Sequence, residues 1–330
     1  MFEQLKDVPR LLLEQEIHPI QGDRFQPTGF ADLGAADYKR HDGKRMLLVE
    51  SAQSVANRLE KTCLAGDGPR LHPDFEGLPY VVAKLSGAAE AETSSLVEAH
   101  RINSPFIISN KEFQDQFLKR SGYESGKPIA WNKVAQTFLY FDPNALIHGV
   151  FMANLKDGRV RVPRAITGFI EASDVMEAVS GGVKNNALDP SGKIRAKDYD
   201  KDVYGNVPYQ RVEYTAGRIT AYFNLDLALI TGYELPEPAR ELLISLSLLK
   251  VRRFISSGLR LRTACDFTPA KEIEVKAPSA FTLPEEPVLL NKVQTCIAAC
   301  KKDGLFASPA VTVIETEVVR KEDPAPAKAR

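Results

Sequence analysis

The chain has 330 residues, with 43 Lys and Arg against 43 Asp and Glu, 44% hydrophobic and 26% charged residues. That mixture is too apolar for intrinsic disorder, and zero net charge excludes a uniformly basic coat, so a polyanion must meet a local patch. The length suits one large domain or two ordinary ones, whose core needs neither disulfide nor metal staples.

In chain order, residues 10–18 put Leu11, Leu13 and Ile17 on one side and Glu14 and Glu16 on the other, the period of a strand. Residues 19–34, with Gly22, Pro27, Gly29 and Gly34 around Arg24, Phe25 and Phe30, read as a long, functional loop. Residues 51–60 predict a helix capped by Ser51, residues 78–85 a strand, and residues 110–120 a helix capped by Asn110. Residues 145–155 and 164–170 read as strands separated by an Asp157-Gly158 turn. Residues 180–210 are glycine-bearing, charged and poor in large aliphatics, so they should project from the core. β character returns over 212–230. Residues 236–256 are the clearest helix, with Ala239, Leu242, Leu243, Leu246, Leu249 and Phe254 at helical spacing. A helix over 287–302, a strand over 305–319 and a disordered tail over 320–330 complete the reading. The irregular alternation suits an α+β sheet core with helices on one face, and no internal repeat points to a solenoid.

The familiar catalytic signatures are missing. Residues 122–128 echo a phosphate loop, but the spacing is short and Pro128 stands where a magnesium-binding hydroxyl belongs. No dinucleotide fingerprint, nucleophile elbow or His-Glu-x-x-His pair is present. His18, His41, His72, His100 and His148 stand far apart and read as structural or surface residues. Cys63, Cys265, Cys296 and Cys300 fit no disulfide or metal spacing and read as buried thiols of a reducing, cytoplasmic setting. The acidic N-terminus is not a signal peptide, and no run is long enough to span a membrane, so no membrane partner is expected. No cofactor or metal is called for.

What recurs is the chemistry of holding a nucleic-acid backbone. Gln21, Arg24, Phe25, Gln26 and Thr28 offer a guanidinium for phosphate, polar groups for sugar or base edges, and an aromatic plane for stacking. The same run also suits an ordered surface turn with a buried Phe25. On the first helix, Ser51, Gln53, Ser54, Asn57 and Arg58 suit either a sugar–phosphate strand or a plain solvated face. Ser180, Gly181, Gly182 and Lys184 form an amide-rich turn beside a cation, or a mobile surface loop. Lys250, Arg252, Arg253, Arg260 and Arg262 concentrate charge near the end of the strongest helix. Arg260 and Arg262 alternate with Leu259 and Leu261, which would aim both guanidiniums to one side as a polyanion site.

These blocks resemble a known family. Residues 21–34, 49–58, 100–105, 164–172, 180–184 and 258–266 run in the order, and with the residues, of the type I-U (I-G) CRISPR-associated RAMP protein, the Cas-seven-type backbone subunit of Cascade. The resemblance implies an RRM-like (ferredoxin-like) palm with insertions forming thumb and finger regions. It would be a single domain over 1–319 with an RNA-binding loop near 19–46, and composition places the thumb in the insertion near 173–211. It also implies a non-catalytic subunit that oligomerises along CRISPR RNA, presents it to target DNA and contacts other Cascade subunits. Arg101, Asn103 and Arg164 join the RNA-binding set on this resemblance. Related RAMP proteins include endoribonucleases; here Asp23, Asp32 or His18 would be the candidate groups.

Overall fold

The computed structural model describes residues 2–30, 32, 34–66, 68–195, 197 and 205–320. The period-two pattern of the first segment produces the Arg10–Pro19 strand, with Leu11, Leu13, Gln15 and Ile17 buried on one face. It lies inside an antiparallel sheet. Along the sheet the order is Arg260–Arg262, Cys265–Pro269, Arg10–Pro19, Arg218–Asp226, Ile166–Ser173, Arg45–Glu50 and Asp37–Lys39, and Glu274–Ala277 also pairs with the first strand. Leu13 stands opposite Phe223, and Phe223 opposite Gly168.

Two helices cover the face that carries Gly168 and Phe223. Helix Ala52–Lys61 begins where the Ser51 Oγ accepts the Ser54 N–H (3.3 Å), and it buries Val55, Ala56 and Leu59. Gly168 is what seats it: a Cβ there would lie 3.0 Å from Val55 and 2.8 Å from the Phe223 ring. Helix Glu237–Ser256 buries Ala239, Leu242, Leu243, Leu246, Leu249 and Phe254 against the sheet, the first helix and helix Glu286–Lys302. On the opposite sheet face Phe169 and Tyr222 stack at 5.0 Å. A smaller sheet pairs Val311–Val318 in parallel with Tyr80–Gly87 and sets Ala91–Ser94 antiparallel to the latter. Helices Lys111–Ser121, capped by Asn110, and Trp131–Phe141 meet through Phe113, Phe117, Phe138 and Phe141. The mixed α and β content with an antiparallel sheet agrees with the sequence reading. All four cysteines are buried thiols, and no helix among the described residues is long and apolar enough to cross a membrane.

Three local expectations change. Residues 145–155 are not a strand. The Asp142 carboxylate accepts the Asn144 N–H (3.0 Å), and helix Asn144–His148 follows with Ala145, Leu146 and Ile147 all buried. A short apolar run buried on every side carries no period to separate helix from strand. Only Val150–Phe151 is extended there, paired with Arg161–Val162. Residues 180–184 are not a turn but part of the Met176–Lys184 strand, paired over nine residues with Val207–Thr215. The 212–230 region divides into that strand, strand Arg218–Asp226 and helix Leu227–Gly232. The tail expected to be disordered lies, beyond Arg320, outside the described residues.

Candidate nucleic-acid interface

Three of the residues singled out in the sequence, Ser54, Arg58 and Arg262, converge on one acid. Glu50 ends the Arg45–Glu50 strand and is fully buried. Its carboxylate accepts hydrogen bonds from Arg58 Nε (2.7 Å), from the Arg262 guanidinium and from the Ser54 Oγ. Arg58 also donates to the Leu261 carbonyl, and Arg262 donates to the Gln26 carbonyl (3.1 Å). One buried charge therefore ties the Arg45–Glu50 strand, the first helix, the loop over 19–34 and the 260–266 hairpin together. Burial lowers the Arg58 pKa from its ordinary value.

A second acid organises the hairpin. Glu213 takes Arg24 at 3.4 Å, the Ser180 Oγ at 2.8 Å and Arg211 at 3.7 Å. Opposed residues share a face of a ribbon, so Ser180, Arg211, Gly182, Tyr209, Lys184 and Val207 lie on one, mostly polar face. Val179, Val212, Val183 and Pro208 lie on the other, together with Glu177, Gln210 and Tyr214. Glycine here admits the partner strand: a Cβ on Gly181 would meet the Tyr209 carbonyl at 2.7 Å, and one on Gly182 would meet the Tyr209 hydroxyl at 2.8 Å and its ring at 3.0 Å. Between the hairpin and the loop lies a cleft of about 760 Å³ whose lining includes Gln26, Thr28, Gln210, Arg211 and Tyr214, with the acid Glu177 and Val212 beside them. The Gln26 Oε1 is buried beside it without a hydrogen-bond partner.

The two clusters are continuous. Phe25 and Tyr214 exchange backbone hydrogen bonds at 2.9 and 3.0 Å, which joins the hairpin to Gln26 and so to Arg262 and Glu50. Beyond Arg58, the first helix exposes Gln53 and Asn57, and the Ala52 carbonyl accepts from Arg164 (3.4 Å). At its far end Glu60 holds Arg101 at 2.6 and 2.9 Å.

Several individual roles need correction. Phe25 is 1% exposed, held edge-on against Phe267 at 5.5 Å, so it is a core residue and not a stacking plane. Asn103 is 4% exposed, and its Oδ1 accepts the Asn154 N–H, which keeps it from any ligand. Ser51 and Ser54 are spent on the helix cap and on Glu50. Arg260 has 75% of its side chain exposed, but Arg262 is drawn in to Glu50, so the two guanidiniums do not form one open face. Lys250 is buried; Arg252 pairs with Glu285 and Arg253 with Asp74 and Glu286, which dissolves the expected five-cation cluster. Gln21, Arg24, Gln53, Asn57, Lys184 and Arg260 remain at the surface, with Arg164 half-buried. His18, Asp23 and Asp32 are exposed, and no hydrogen bond or ion pair among the described residues joins them. The sequence reading missed Glu50, Glu213, Arg211 and Tyr209. An acid closing the apolar run Leu47-Leu48-Val49 was the available signal for Glu50.

The profile of CRISPR-associated protein GSU0053 matches residues 11–177, just over half of the chain. A chain of a "CRISPR RNA-guided surveillance complex, pre-nicking" is similar at 12% identity, over 89% of this chain and 89% of that one, with a TM-score of 0.43. A second "CRISPR RNA-guided surveillance complex" chain gives 12% identity, 88% and 83% coverage and a TM-score of 0.34. Csc2 of Thermofilum pendens gives 9%, 92% and 79%, and 0.29. No curated protein matches. The profile match bears out the CRISPR-associated resemblance read from the ordered blocks: this chain belongs to the family of CRISPR-associated protein GSU0053.

Proposed function

We propose that this protein is a non-catalytic, multi-copy subunit that holds guide RNA by its backbone within a CRISPR surveillance complex and presents it to target DNA. One observation carries the reading. The hairpin, the loop, the Glu50 network and the first helix form an unbroken chain of contacts, from Arg24 to Arg164. Along it stand groups that recognise sugar and phosphate without regard to sequence. Gln26 Oε1, buried and unpartnered beside the cleft, is an acceptor of the kind a ribose 2′-hydroxyl satisfies. Glu50 holds Arg58 and Arg262 in place and Glu213 positions Arg24, whose side chain stays largely exposed; with it Lys184, Arg260 and Arg164 can reach phosphate.

We read the sheet as a ferredoxin-like palm. Strands Arg10–Pro19, Ile166–Ser173, Arg218–Asp226 and Cys265–Pro269, with helices Ala52–Lys61 and Glu237–Ser256 in their βαββαβ places, follow the split-βαβ order 4-1-3-2. The hairpin between the second and third of these strands is then the thumb. Its exposed Val179 and Val183 support contact between neighbouring copies, since a lone two-stranded ribbon is marginal in water. Purified protein mixed with RNA of arbitrary sequence should form regular filaments in electron micrographs. Protein that stays monomeric and RNA-free at low salt would overturn the proposal. Specific cleavage of guide precursor or target RNA, lost on substitution of Asp23, Asp32 or His18, would replace the scaffold role with an endoribonuclease.

A further inference from the structure

The hairpin carries apolar side chains that its own chain leaves uncovered. Met176, Val179 and Val183 along it are exposed, and so are Leu188 and Ile194 at its tip, at 84% and 61%. The tip is nonetheless held to a fixed shape. Asn186 Oδ1 accepts the N–H groups of Leu188 and Asp189, both at 3.0 Å. The Asp189 carboxylate accepts the Ser191 N–H (3.1 Å), the Ser191 hydroxyl (2.6 Å) and the Ile194 N–H (2.6 Å). A loop ordered before contact loses less entropy on contact, so a tip that holds Leu188 and Ile194 out to water has the form of a plug.

A groove of about 500 Å³ lies between the start of helix Trp131–Phe141 and helix Leu227–Gly232. Val134, Pro163, Leu229 and Tyr233 line it, and with them Trp131, the only tryptophan of the chain, 48% exposed. Arg161 also lines it, lying over the Phe151 ring at 4.1 Å. No hairpin residue lines the groove of its own chain, and the strands explain why. Strand Ile166–Ser173 starts just after Pro163 and ends at the root of the hairpin. Strand Arg218–Asp226 returns from the hairpin and ends where helix Leu227–Gly232 begins. Groove and hairpin root therefore stand at opposite ends of one strand pair, about 23 Å apart. An apolar projection at one end and an apolar groove at the other suit a head-to-tail contact between copies, which repeats without closing. Charge agrees with this pairing. Lys193 and Arg195 flank Ile194, and Glu234 follows Tyr233. All three are exposed and have no ion-pair partner among the described residues.

We propose that this groove seats the hairpin tip of a second copy, with Leu188 and Ile194 packed against Trp131, Leu229 and Tyr233 and the flanking cations turned toward Glu234. The proposal rests on the multi-copy reading and adds to it the receiving surface and the side chains that enter it. Each copy then gives one tip and offers one groove, so a pair always keeps one of each free for the next copy.

The test uses the full, nuclease-treated chain, alone and with a long single strand of RNA. The parent should sediment as a series of growing oligomers, and Trp131 emission should move to shorter wavelength as they form. Two variants block one side each. Leu188→Glu charges the tip at an exposed position. Gly232→Phe fills the groove from a site where an added Cβ meets nothing within 4 Å. Each should need at least tenfold more protein to associate, with circular dichroism reporting an unchanged fold. Mixed in equal amounts without RNA, they should form a one-to-one pair and nothing longer, because the first keeps a groove and the second a tip. Association of either variant at the parent's concentration, Trp131 emission that does not move, or a mixture that yields no pair overturns the proposal. RNA filaments that persist in both variants remove this contact and leave the multi-copy scaffold standing. Tip-and-groove association in a parent that retains no RNA removes the guide-holding role alone, and a parent monomeric under both conditions overturns both.

Discussion

Replacing Glu50 by Gln removes one negative charge and almost no volume. The carboxylate is fully buried and takes three hydrogen bonds, two from guanidiniums whose side chains remain 29% and 25% exposed. Breaking a buried ion pair costs roughly 3–5 kcal/mol when the partner charge is stranded in the interior. Arg58 and Arg262 can regain water at their exposed edges, which discounts the loss toward about 3 kcal/mol. Most of the damage should be local. Arg58 and Arg262 anchor residues 260–266 to the first helix and to Gln26, so Glu50→Gln frees that hairpin. Urea unfolding should show the loss of stability, and trypsin should cut faster after Arg260 and Arg262. RNA retention should fall with it. A variant within about 0.5 kcal/mol of the parent, with an unchanged tryptic rate, would refute the view that Glu50 organises the interface.

Phe25→Leu keeps an apolar side chain beside Phe267 but loses volume, so it should cost less than the roughly 3–5 kcal/mol of truncation to Ala and leave RNA retention intact; loss of RNA with the fold preserved would restore a stacking role. Gly181→Val drives its Cβ onto the Tyr209 carbonyl. It should cost about 1–3 kcal/mol, confined to the hairpin, and proteolysis between residues 184 and 207 should accelerate while global unfolding stays unchanged. Burial pushes the Asp142 carboxyl up to about 6, against 3.8 ordinarily. Between those values the folded chain keeps a proton that the unfolded chain has released. Stability therefore falls as pH rises from about 4 to about 6 and is level above that, by about 3 kcal/mol. Subtracting the pH–stability curve of Asp142→Asn from the parent curve should reveal this decline, and a flat difference would contradict it.

Local chemistry is legible in the order of residues alone. The Ser51 and Asn110 caps and the long amphipathic helix rest on neighbours within a few residues, which any short stretch of sequence contains. The order of the blocks is also enough to identify the family. Side-chain fates set by distant partners are not legible in this way. Phe25 reads as a free aromatic in a polar loop until Phe267 is folded against it. Arg262 reads as a companion of Arg260 until Glu50 draws it inward. Gly181 and Gly182 suggest a turn, whereas here they make room for Tyr209 within a ladder. His148 and Lys250 lie on separate helices, and only packing brings them within 2.7 Å.

The salt dependence of RNA binding tests the backbone grip most directly. Affinities for two single strands of unrelated sequence should agree, and log K should fall linearly with log salt at about −0.7 per phosphate neutralised. Removing Arg24 or Arg260 should flatten that slope by roughly one phosphate each, while the fold persists. Binding that discriminates strongly between the two sequences, or a slope indifferent to both arginines, would contradict a sequence-blind hold on the sugar–phosphate chain.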